Sequence, residues 1–225
     1  MTPFETWDPD KYNQFAGERE QPFWDLVHLL DPVDSPKVID LGCGDGRLTA
    51  ALSESVASSS LLGIDSSTSM IAAAADHASE QVRFEVGDIG TWEQVDSYDL
   101  VFANASMQWV PNHSAVLARW SASLRTGGQL AVQVPANAEH PAHLVAAELA
   151  EELMDEPPPD VVAQNVLAPE LYAELLDALG FGRQHVRLQV YIHHLASTAD
   201  VVEWVKGTTL TRFKEPLGNL SLIHI

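Results

Sequence analysis

The chain has 225 residues, which suits a single domain with a sizeable buried core. Its formal net charge is −20, from 12 basic and 32 acidic residues, which argues against a nucleic-acid partner because such a partner requires a basic face. No apolar run approaches a membrane span, and residues 1–10 lack the features of a secretory signal. The single cysteine, Cys43, excludes an internal disulfide and predicts a reducing, cytoplasmic location.

The first 30 residues are expected to form an N-terminal cover on this domain. Residues 23–30 place apolar side chains at helical spacing, with Pro22 near the helix start, which predicts a helix packed on a sheet. Three earlier aromatic residues suit a cover over a bound cofactor as well as they suit the core. They are Trp7, Tyr12 and Phe15.

A glycine-rich stretch at residues 37–46 dominates the sequence. The pattern predicts a short buried strand at Lys37–Leu41, a turn, and a helix at Arg47–Ser55. Glycines let the backbone approach a ligand closely, and the helix N-terminus offers free N–H groups to the same space. The turn contains Gly42, Gly44 and Gly46. A tight turn without a ligand is the alternative.

The residues around the glycines indicate the kind of ligand. Arg47 stands where a dinucleotide-binding loop carries its third glycine, which disfavours an NAD-dependent oxidoreductase. The loop also lacks the Gly-Lys-Ser/Thr sequence of nucleoside-triphosphate sites. Asp40, just before the first glycine, suits a cationic ligand without phosphate, such as S-adenosylmethionine.

Acidic residues follow the second and third predicted strands. Asp65 ends the strand Ser60–Asp65 and is placed to accept both ribose hydroxyls; a helix N-cap is the alternative, although Ser66 or Ser67 can supply that cap. Met70 opens a helix at 70–77 and suits either the adenine or the core.

The third strand, Val82–Val86, and the fourth, at 98–103, carry further candidates at their ends. Asp88 suits the adenine amino group, with a plain turn as the alternative, and Ile89 suits the face of the ring. The fourth strand ends at the switch point where open α/β sheets bind ligands. Three residues there predict a wall of the site: Asn104, Gln108 and Trp109. The alternative for this stretch is a helix cap and a Trp in the core.

The rest of the chain continues the alternation, so we predict an α/β, Rossmann-like, doubly wound sheet, mainly parallel, with helices on both faces. The remaining predicted elements are a helix at 114–124 closed by Gly127-Gly128, a strand at 129–134, a helix from about 142 to the prolines 157–159, a helix at 171–179, a sixth strand at 186–192, and a helix to Lys206 behind the Ser197–Asp200 capping box.

The glycine loop, Asp65, Asp88-Ile89 and the turn at 124–128 resemble the class I S-adenosylmethionine-dependent methyltransferases. Further segments resemble the trans-aconitate 2-methyltransferases within that family; they are Trp7-Asp8-Pro9, Tyr12, Phe15, Arg19, Pro22, residues 102–105, Gln108-Trp109 and residues 202–208. The resemblance implies methyl transfer to a carboxylate of a small polycarboxylic acid, giving a monomethyl ester. Methyltransferases of malonyl-carrier protein share the core and the Gln-Trp pair and remain the alternative, as does an inactive cofactor-binding homologue.

The resemblance assigns a site without a catalytic side chain, because a carboxylate is already nucleophilic at neutral pH. The implied cofactor residues are Tyr12, Asp40, Gly42, Cys43, Gly44, Asp65, Ser66, Met70, Asp88, Ile89 and Asn104. The implied substrate residues are Arg19, Gln108, Trp109 and Lys206. Arg19, Lys206 and Arg212 are candidate carboxylate-binding cations, each with a solvated surface charge as the alternative. No metal is expected, since His140 and His143 lack a third ligand at convincing spacing.

The family pattern breaks after Gly207. We expect one methyltransferase domain over 1–225, with the cofactor core at 37–134, substrate-side helices and the sixth strand at 135–217, and a foreign tail at 218–225. The last antiparallel strand of the family is expected to be missing. A monomer that acts on a small acid, away from nucleic acid and membranes, is the expected state.

Overall fold

A five-stranded parallel sheet organises the protein in the computed structural model, which describes residues 16–206 and 209–213. The strands are β1 (Lys37–Leu41), β2 (Ser60–Asp65), β3 (Val82–Val86), β4 (Tyr98–Asn104) and β5 (Leu124–Gln133). Their order across the sheet is β3-β2-β1-β4-β5. Successive strands are therefore added towards one side of the sheet from β1 to β3 and towards the other side from β4 to β5. The predicted Rossmann-like fold is confirmed, and its switch point lies between the two central strands.

Helices lie before, between and after the strands, except that a loop without a helix joins β3 to β4. They are α1 (Ala16–Val27), α2 (Arg47–Ser55), α3 (Thr68–Ala74), α4 (His113–Ala122), α5 (Pro141–Leu153), α6 (Val161–Asn165), α7 (Pro169–Ala178) and α8 (Thr198–Lys206), with 3₁₀ turns at Ala75–His77, Met107–Trp109 and Thr209–Phe213. The side chain of Ser67 caps α3 by accepting a hydrogen bond from the Met70 N–H. Ser67 is one of the two residues, with Ser66, that the sequence offered for this cap. Ser197 accepts the Asp200 N–H, which confirms the predicted capping box.

The two faces of the sheet are covered by different helices. On one face α1 packs through Phe23, whose ring lies 5.4 Å from that of Phe102 on β4. This confirms the predicted helix on the sheet, but Pro22 lies inside α1 rather than near its start. On the other face Trp120 of α4 is completely buried with residues of β1 and β4. The burial on both faces explains the nearly continuous apolar runs of the central strands.

A third, smaller core lies beyond the sheet. Ala146 and Ala150 of α5 pack against Leu210 and Phe213, and Trp204 of α8 borders the same cluster. We call this group of α5, α8 and the turn Thr209–Phe213 the C-terminal helical cluster. Its buried residues are small on α5 and large on the turn, so the turn sits close against the helix.

The predicted boundaries of β5 are wrong at its start. The strand begins at Leu124, not at 129, and the helix before it ends at Ala122. Gly127, with φ +81°, lies within the strand, next to a shift in pairing between Tyr98 and Leu100 on β4. The two glycines therefore form an irregularity in the ladder instead of closing the helix.

The predicted sixth strand at 186–192 is also wrong. Its alternating apolar residues are largely exposed, with Leu188 at 64%, Val190 at 74% and Ile192 at 80%. A strand exists only where a neighbour pairs with its backbone, and no strand in the described part of the chain pairs with this stretch. The Tyr191 hydroxyl donates instead to Asp25 of α1 over 2.9 Å. The expected tail at 218–225 lies outside the described residues.

Candidate active site

The carboxyl ends of four strands bring most of the predicted site residues to one edge of the sheet. Asp40 and the glycine loop end β1, Asp65 ends β2, Asp88 follows β3, and Asn104 ends β4. Because β3, β2, β1 and β4 are neighbours in this order, the four positions form a continuous row. Ligands of open α/β sheets bind at this edge, beside the switch point.

The glycine loop has the backbone conformation that its sequence predicts. Gly42, Gly44 and Gly46 all have positive φ, at +93°, +56° and +79°. A Cβ on Gly42 would lie 2.1 Å from Ser106 Cβ, so that glycine is required by packing against the end of β4. A Cβ on Gly44 would meet no atom within 4 Å. The space beside Gly44 is therefore open to a ligand.

The Asp65 carboxylate joins two elements of this edge. One oxygen accepts the Gly44 N–H over 3.0 Å and the other accepts the Ser67 N–H over 2.9 Å. A carboxylate has about four lone-pair positions, so two acceptor sites remain for a ligand. Asp65 is half-buried and Ser66 beside it is exposed, which places both at the surface of the edge.

Asp40 is almost fully buried beneath the loop. Its carboxylate accepts a hydrogen bond of 2.6 Å from the Thr49 hydroxyl of α2. Burial, and to a smaller extent the nearby Asp65 charge, raise the pKa of Asp40 to about 7 against the lowering effect of Thr49. Burial, with the charges of Asp40 and Asp65, also raises the pKa of the Cys43 thiol. The thiol therefore stays protonated at neutral pH and is not a nucleophile.

The residues near the predicted adenine position are engaged locally. Asp88 is exposed, and its two oxygens accept from the Gly90 N–H and the Thr91 hydroxyl. This is the turn geometry that formed the alternative interpretation of Asp88. Met70 and Ile89 are both buried, and Ile89 belongs to the core around Trp120.

The end of β4 carries polar groups that the protein leaves unsatisfied. Ala105 has φ +51°, a strained conformation for a residue with a side chain, and its carbonyl accepts from Gln108 Nε2 over 2.7 Å. Three buried amide oxygens here have no hydrogen-bond partner in the described structure; they belong to Asn104, Gln108 and Gln133. Gln133 ends β5, and the sequence interpretation missed it. Buried acceptors without donors indicate a ligand that supplies N–H or O–H groups.

A histidine that the sequence interpretation also missed holds this wall in place. His113 Nε2 is 2.9 Å from the Met107 carbonyl, so it carries the proton and donates. His113 Nδ1 then accepts from the Tyr172 hydroxyl of α7 over 2.7 Å. Burial lowers the pKa of His113, which keeps the ring neutral at neutral pH. Both nitrogens are occupied, so His113 positions the wall and has no free nitrogen to act as a base.

An ion pair links α1 to the end of the glycine loop. Glu20 of α1 forms a 2.7 Å ion pair with Arg47, the residue after Gly46. Arg19 is adjacent to Glu20 on the same helix, although its side chain lies outside the described part of the structure, as does that of Lys206. Tyr12, Trp7 and Phe15 lie outside the described residues altogether.

A separate groove of about 570 Å³ opens at the opposite, amino edge of the sheet, between α1 and residues 30–36. Gln129 in its lining exchanges two hydrogen bonds with the backbone of Asp31. Since these polar groups satisfy each other, the groove offers less to a ligand than the unsatisfied carboxyl edge. No group of three metal-binding side chains occurs among residues 16–206 and 209–213.

Comparison with known proteins identifies this architecture. A family model described as a methyltransferase domain matches residues 33–179. The chain is 41% identical over 214 residues to trans-aconitate 2-methyltransferase of Deinococcus radiodurans, covering 92% of this chain and 82% of that protein. It is 37% identical over 220 residues to the enzyme of the same name from Mycobacterium tuberculosis, covering 96% and 82%. The chain belongs to the S-adenosylmethionine-dependent methyltransferases.

Solved structures agree with this methyltransferase at the level of the fold. A chain of the complex of the Haloferax volcanii Trm112 methyltransferase activator superposes with a TM-score of 0.60 at 18% identity, over 76% of this chain and 73% of that one. The Bacillus YcgJ protein gives a TM-score of 0.56 at 16% identity, over 71% and 68%. In the described part of the methyltransferase, no helix is both long and apolar enough to cross a membrane.

The edge described above fits S-adenosylmethionine. The open space at Gly44 admits a ligand against the backbone, and the free lone pairs of Asp65 suit its ribose hydroxyls. Asn104 and Gln133 are paired neighbours at the ends of β4 and β5, and their unsatisfied amide oxygens suit its ammonium group, which is a hydrogen-bond donor. Asp65, and Asp40 in its ionised form, add negative charge that favours a cationic ligand.

Proposed function

We propose that this methyltransferase transfers the methyl group of S-adenosylmethionine to a carboxylate of a small polycarboxylic acid, with trans-aconitate as the first candidate. The observation that carries the proposal is the 37–41% identity, over more than 90% of the chain, to enzymes named trans-aconitate 2-methyltransferase. The acidic character of the whole chain then requires local cations at the acceptor site, because the net charge of −20 repels a polyanion.

The site chemistry supports a carboxylate acceptor. A carboxylate is ionised at neutral pH and attacks through an oxygen lone pair without losing a proton, so the reaction needs no general base from the protein. The wall at the end of β4 carries neutral amides, Asn104 and Gln108, and the nearby His113 is occupied at both nitrogens. Catalysis then rests on holding the acceptor oxygen in line with the methyl–sulfur bond.

The residues assigned to the cofactor are those of the carboxyl edge. Bound S-adenosylmethionine supplies a methyl group on a sulfonium, which is electrophilic without further activation. Asp65 would hold the ribose, and Asp88, Ile89 and Met70 would border the adenine. The unsatisfied oxygens of Asn104 and Gln133 would orient the ammonium group, which keeps the methionine part in one position.

Arg19 is assigned to a carboxylate that does not react. Its neighbour Glu20 pairs with Arg47 at the start of α2, so Arg19 belongs to the part of α1 that is linked to the end of the glycine loop. A guanidinium binds a carboxylate with two parallel hydrogen bonds and stays charged at all relevant pH values. Gln108 and Trp109 are the proposed opposite wall, and Lys206 is a second proposed cation at the end of α8.

The proposal is tested by methyl transfer from labelled S-adenosylmethionine to a panel of di- and tricarboxylic acids and to malonyl-carrier protein. We expect trans-aconitate to give the highest kcat/KM and a monomethyl ester by mass spectrometry. Methylation of malonyl-carrier protein alone would replace the acid as substrate. Cofactor binding with no turnover on any acceptor would make the chain an inactive homologue.

The role of Arg19 has its own test. Arg19→Ala should leave S-adenosylhomocysteine binding nearly unchanged and lower kcat/KM for trans-aconitate by about 10²-fold or more, because a desolvated charge pair is lost. Arg19→Lys should recover only part of this, since an ammonium lacks the planar fork. Turnover of trans-aconitate by Arg19→Ala at the wild-type rate would show that Arg19 is a surface charge.

A further inference from the structure

A largely buried guanidinium lies in the C-terminal helical cluster. Arg212 is only 17% exposed and stacks over the Phe213 ring, with its Cζ 4.6 Å from the ring centroid. Leu210 and Phe213 of the same turn are anchored in the buried core of the cluster. The position of Arg212 is therefore fixed by packing, and its charge is held mostly out of water in a chain that has only 12 basic residues.

Some donors of Arg212 have no acceptor among the residues that the structure describes. Its Nη1 lies 2.7 Å from Asp160 Oδ2, which neutralises the charge in part. Nη1 is nevertheless poorly aligned for a hydrogen bond, and Nε has no acceptor among the described residues although both atoms are sealed from solvent. A guanidinium carries five N–H groups, and leaving them buried and unpaired is costly. Such a group is suited to a second carboxylate beside Asp160.

The cluster is connected directly to the proposed acceptor wall. Asp160 caps α6 by accepting the Ala163 N–H, and α6 packs against Met107–Trp109. At the other end of α6, Asn165 Nδ2 donates to the Gln108 carbonyl over 3.0 Å. A five-residue helix rises only about 7.5 Å, so α6 places Asp160, the partner of Arg212, about one and a half helical turns from the residue that contacts the wall.

We propose that Arg212 binds a non-reacting carboxylate of the acceptor acid. The inference rests on the proposed function. A tricarboxylic acid has two carboxylates that do not react; Arg19 is assigned to one of them, and Lys206 and Arg212 are the candidate cations for the other. Arg212 is the candidate that packing holds in place, with Asp160 on one edge of its guanidinium and Nε on the other.

Asp160 provides a matched control for a purely structural role. Asp160→Asn removes the ion pair but keeps the α6 cap, because asparagine caps helices as well as aspartate does. If Arg212 only ties the cluster to α6, Asp160→Asn and Arg212→Met remove the same interaction and have the same effect. If Arg212 binds the acid, Asp160→Asn leaves the guanidinium with its full charge and does not lower the affinity for the acid.

The test is calorimetric titration with tricarballylate, a saturated tricarboxylate, in the presence of S-adenosylhomocysteine. Arg212→Met should lower the affinity for tricarballylate about tenfold or more and leave the affinity for S-adenosylhomocysteine unchanged. Asp160→Asn should bind tricarballylate as tightly as the wild type or more tightly. Glutarate lacks the central carboxylate and methylsuccinate lacks one terminal carboxylate. One of the two should bind wild type and Arg212→Met equally, which identifies the carboxylate that Arg212 holds.

Two results would overturn the assignment: wild-type affinity of Arg212→Met for tricarballylate, or equal losses in Arg212→Met and Asp160→Asn. Circular dichroism and melting temperature verify the fold of each variant. Should Arg212→Met fail to fold, Arg212→Lys keeps a cation beside Asp160 but lacks Nε, and it should show a smaller loss in the same direction. A wild type that methylates no acid refutes the proposed function itself; one that methylates trans-aconitate with an unchanged KM in Arg212→Met refutes only the role of Arg212.

Discussion

At the scale of single residues, Asp65 combines a structural and a proposed binding function. Its carboxylate bonds the N–H groups of Gly44 and Ser67 and so joins the glycine loop to the start of α3. Asp65→Ala should weaken S-adenosylhomocysteine binding tenfold or more, since each charge-assisted bond contributes about 1.5–3 kcal/mol. Isothermal titration calorimetry measures this loss.

Asp99 supplies the control for Asp65. It lies on β4, accepts the Lys37 N–H over 2.8 Å and pairs with Arg125, all at the amino edge of the sheet. Asp99→Ala should lower the melting temperature without changing S-adenosylhomocysteine affinity. Equal affinity losses in the two variants would mean that Asp65 acts only by holding the fold together.

Asp40 gives the molecule a pH dependence of definite sign. Its pKa of about 7 in the folded chain lies above the ordinary value of 3.8, so the folded state binds the proton more tightly than the unfolded state. The stability contributed by this group is complete below about pH 3.8 and is lost as the pH rises through 7. Asp40→Asn, which is neutral at every pH, should therefore gain melting temperature relative to the wild type between pH 5 and pH 8.

The same carboxyl couples cofactor binding to proton release. A cationic ligand near Asp40 favours its ionised form, so S-adenosylmethionine should bind more tightly as the pH rises from 6 to 8 and release protons on binding. Calorimetry in two buffers of different ionisation enthalpy counts these protons. Asp40→Asn should abolish the release, and a wild-type affinity that does not vary with pH would show that the cation lies too far from Asp40 to affect it.

At the scale of elements, the two glycines Gly42 and Gly44 separate packing from binding within one loop. Gly42→Ala should destabilise the fold strongly, because its Cβ would lie 2.1 Å from Ser106 Cβ and overpacking costs about 1–3 kcal/mol or more. Gly44→Ala should cost only the strain of a positive φ, about 1–2 kcal/mol, since its Cβ meets no protein atom.

Binding should reverse this order. The Cβ of Gly44→Ala enters the space assigned to the cofactor, so S-adenosylhomocysteine affinity should fall further than the melting temperature suggests. Thermal unfolding with and without S-adenosylhomocysteine measures both effects in one experiment, because at a fixed ligand concentration tighter binding stabilises the folded state more and raises the melting temperature further. A normal ligand-induced shift in Gly44→Ala would place the cofactor elsewhere.

The elements that the sequence predicted correctly are those whose cause is local or repetitive. β1, β2 and β3 have the predicted bounds because each is a short apolar run between turn residues. The stretch at 186–192 has an equally clear alternation, yet pairing depends on a neighbour that its own residues do not specify. The start of β5 was missed because a glycine pair can close a helix or interrupt a ladder, and only the neighbouring β4 decides between them.

The site shows the same division. Motif spacing predicted the row of acids and glycines at the carboxyl edge, since strand ends of a parallel sheet must meet there. Gln133 and the His113–Tyr172 pair carry no local signal, because their importance arises from contacts between distant parts of the chain. The burial of Arg212 likewise depends on α5 and α8 folding around its turn.

At the scale of the whole molecule, the net charge of −20 acts in opposite directions on the two proposed substrates. The long-range field repels a tricarboxylate and attracts the cationic cofactor. The Debye length falls from about 30 Å at 0.01 M salt to about 8 Å at 0.15 M, so added salt removes this field before it weakens a close contact with a buried guanidinium.

Raising the salt from 0.01 M to 0.15 M should therefore lower KM for trans-aconitate and raise KM for S-adenosylmethionine. Steady-state kinetics at several salt concentrations measure both, with potassium chloride and potassium glutamate compared to separate screening from competition by the anion. Arg19→Ala should keep the fall in KM for the acid, because the repulsion comes from the whole chain and not from the site. A KM for trans-aconitate that rises from the lowest salt concentration onward would show that the cations of the site already outweigh the field of the molecule, and that the acidic surface has no influence on capture of the acid.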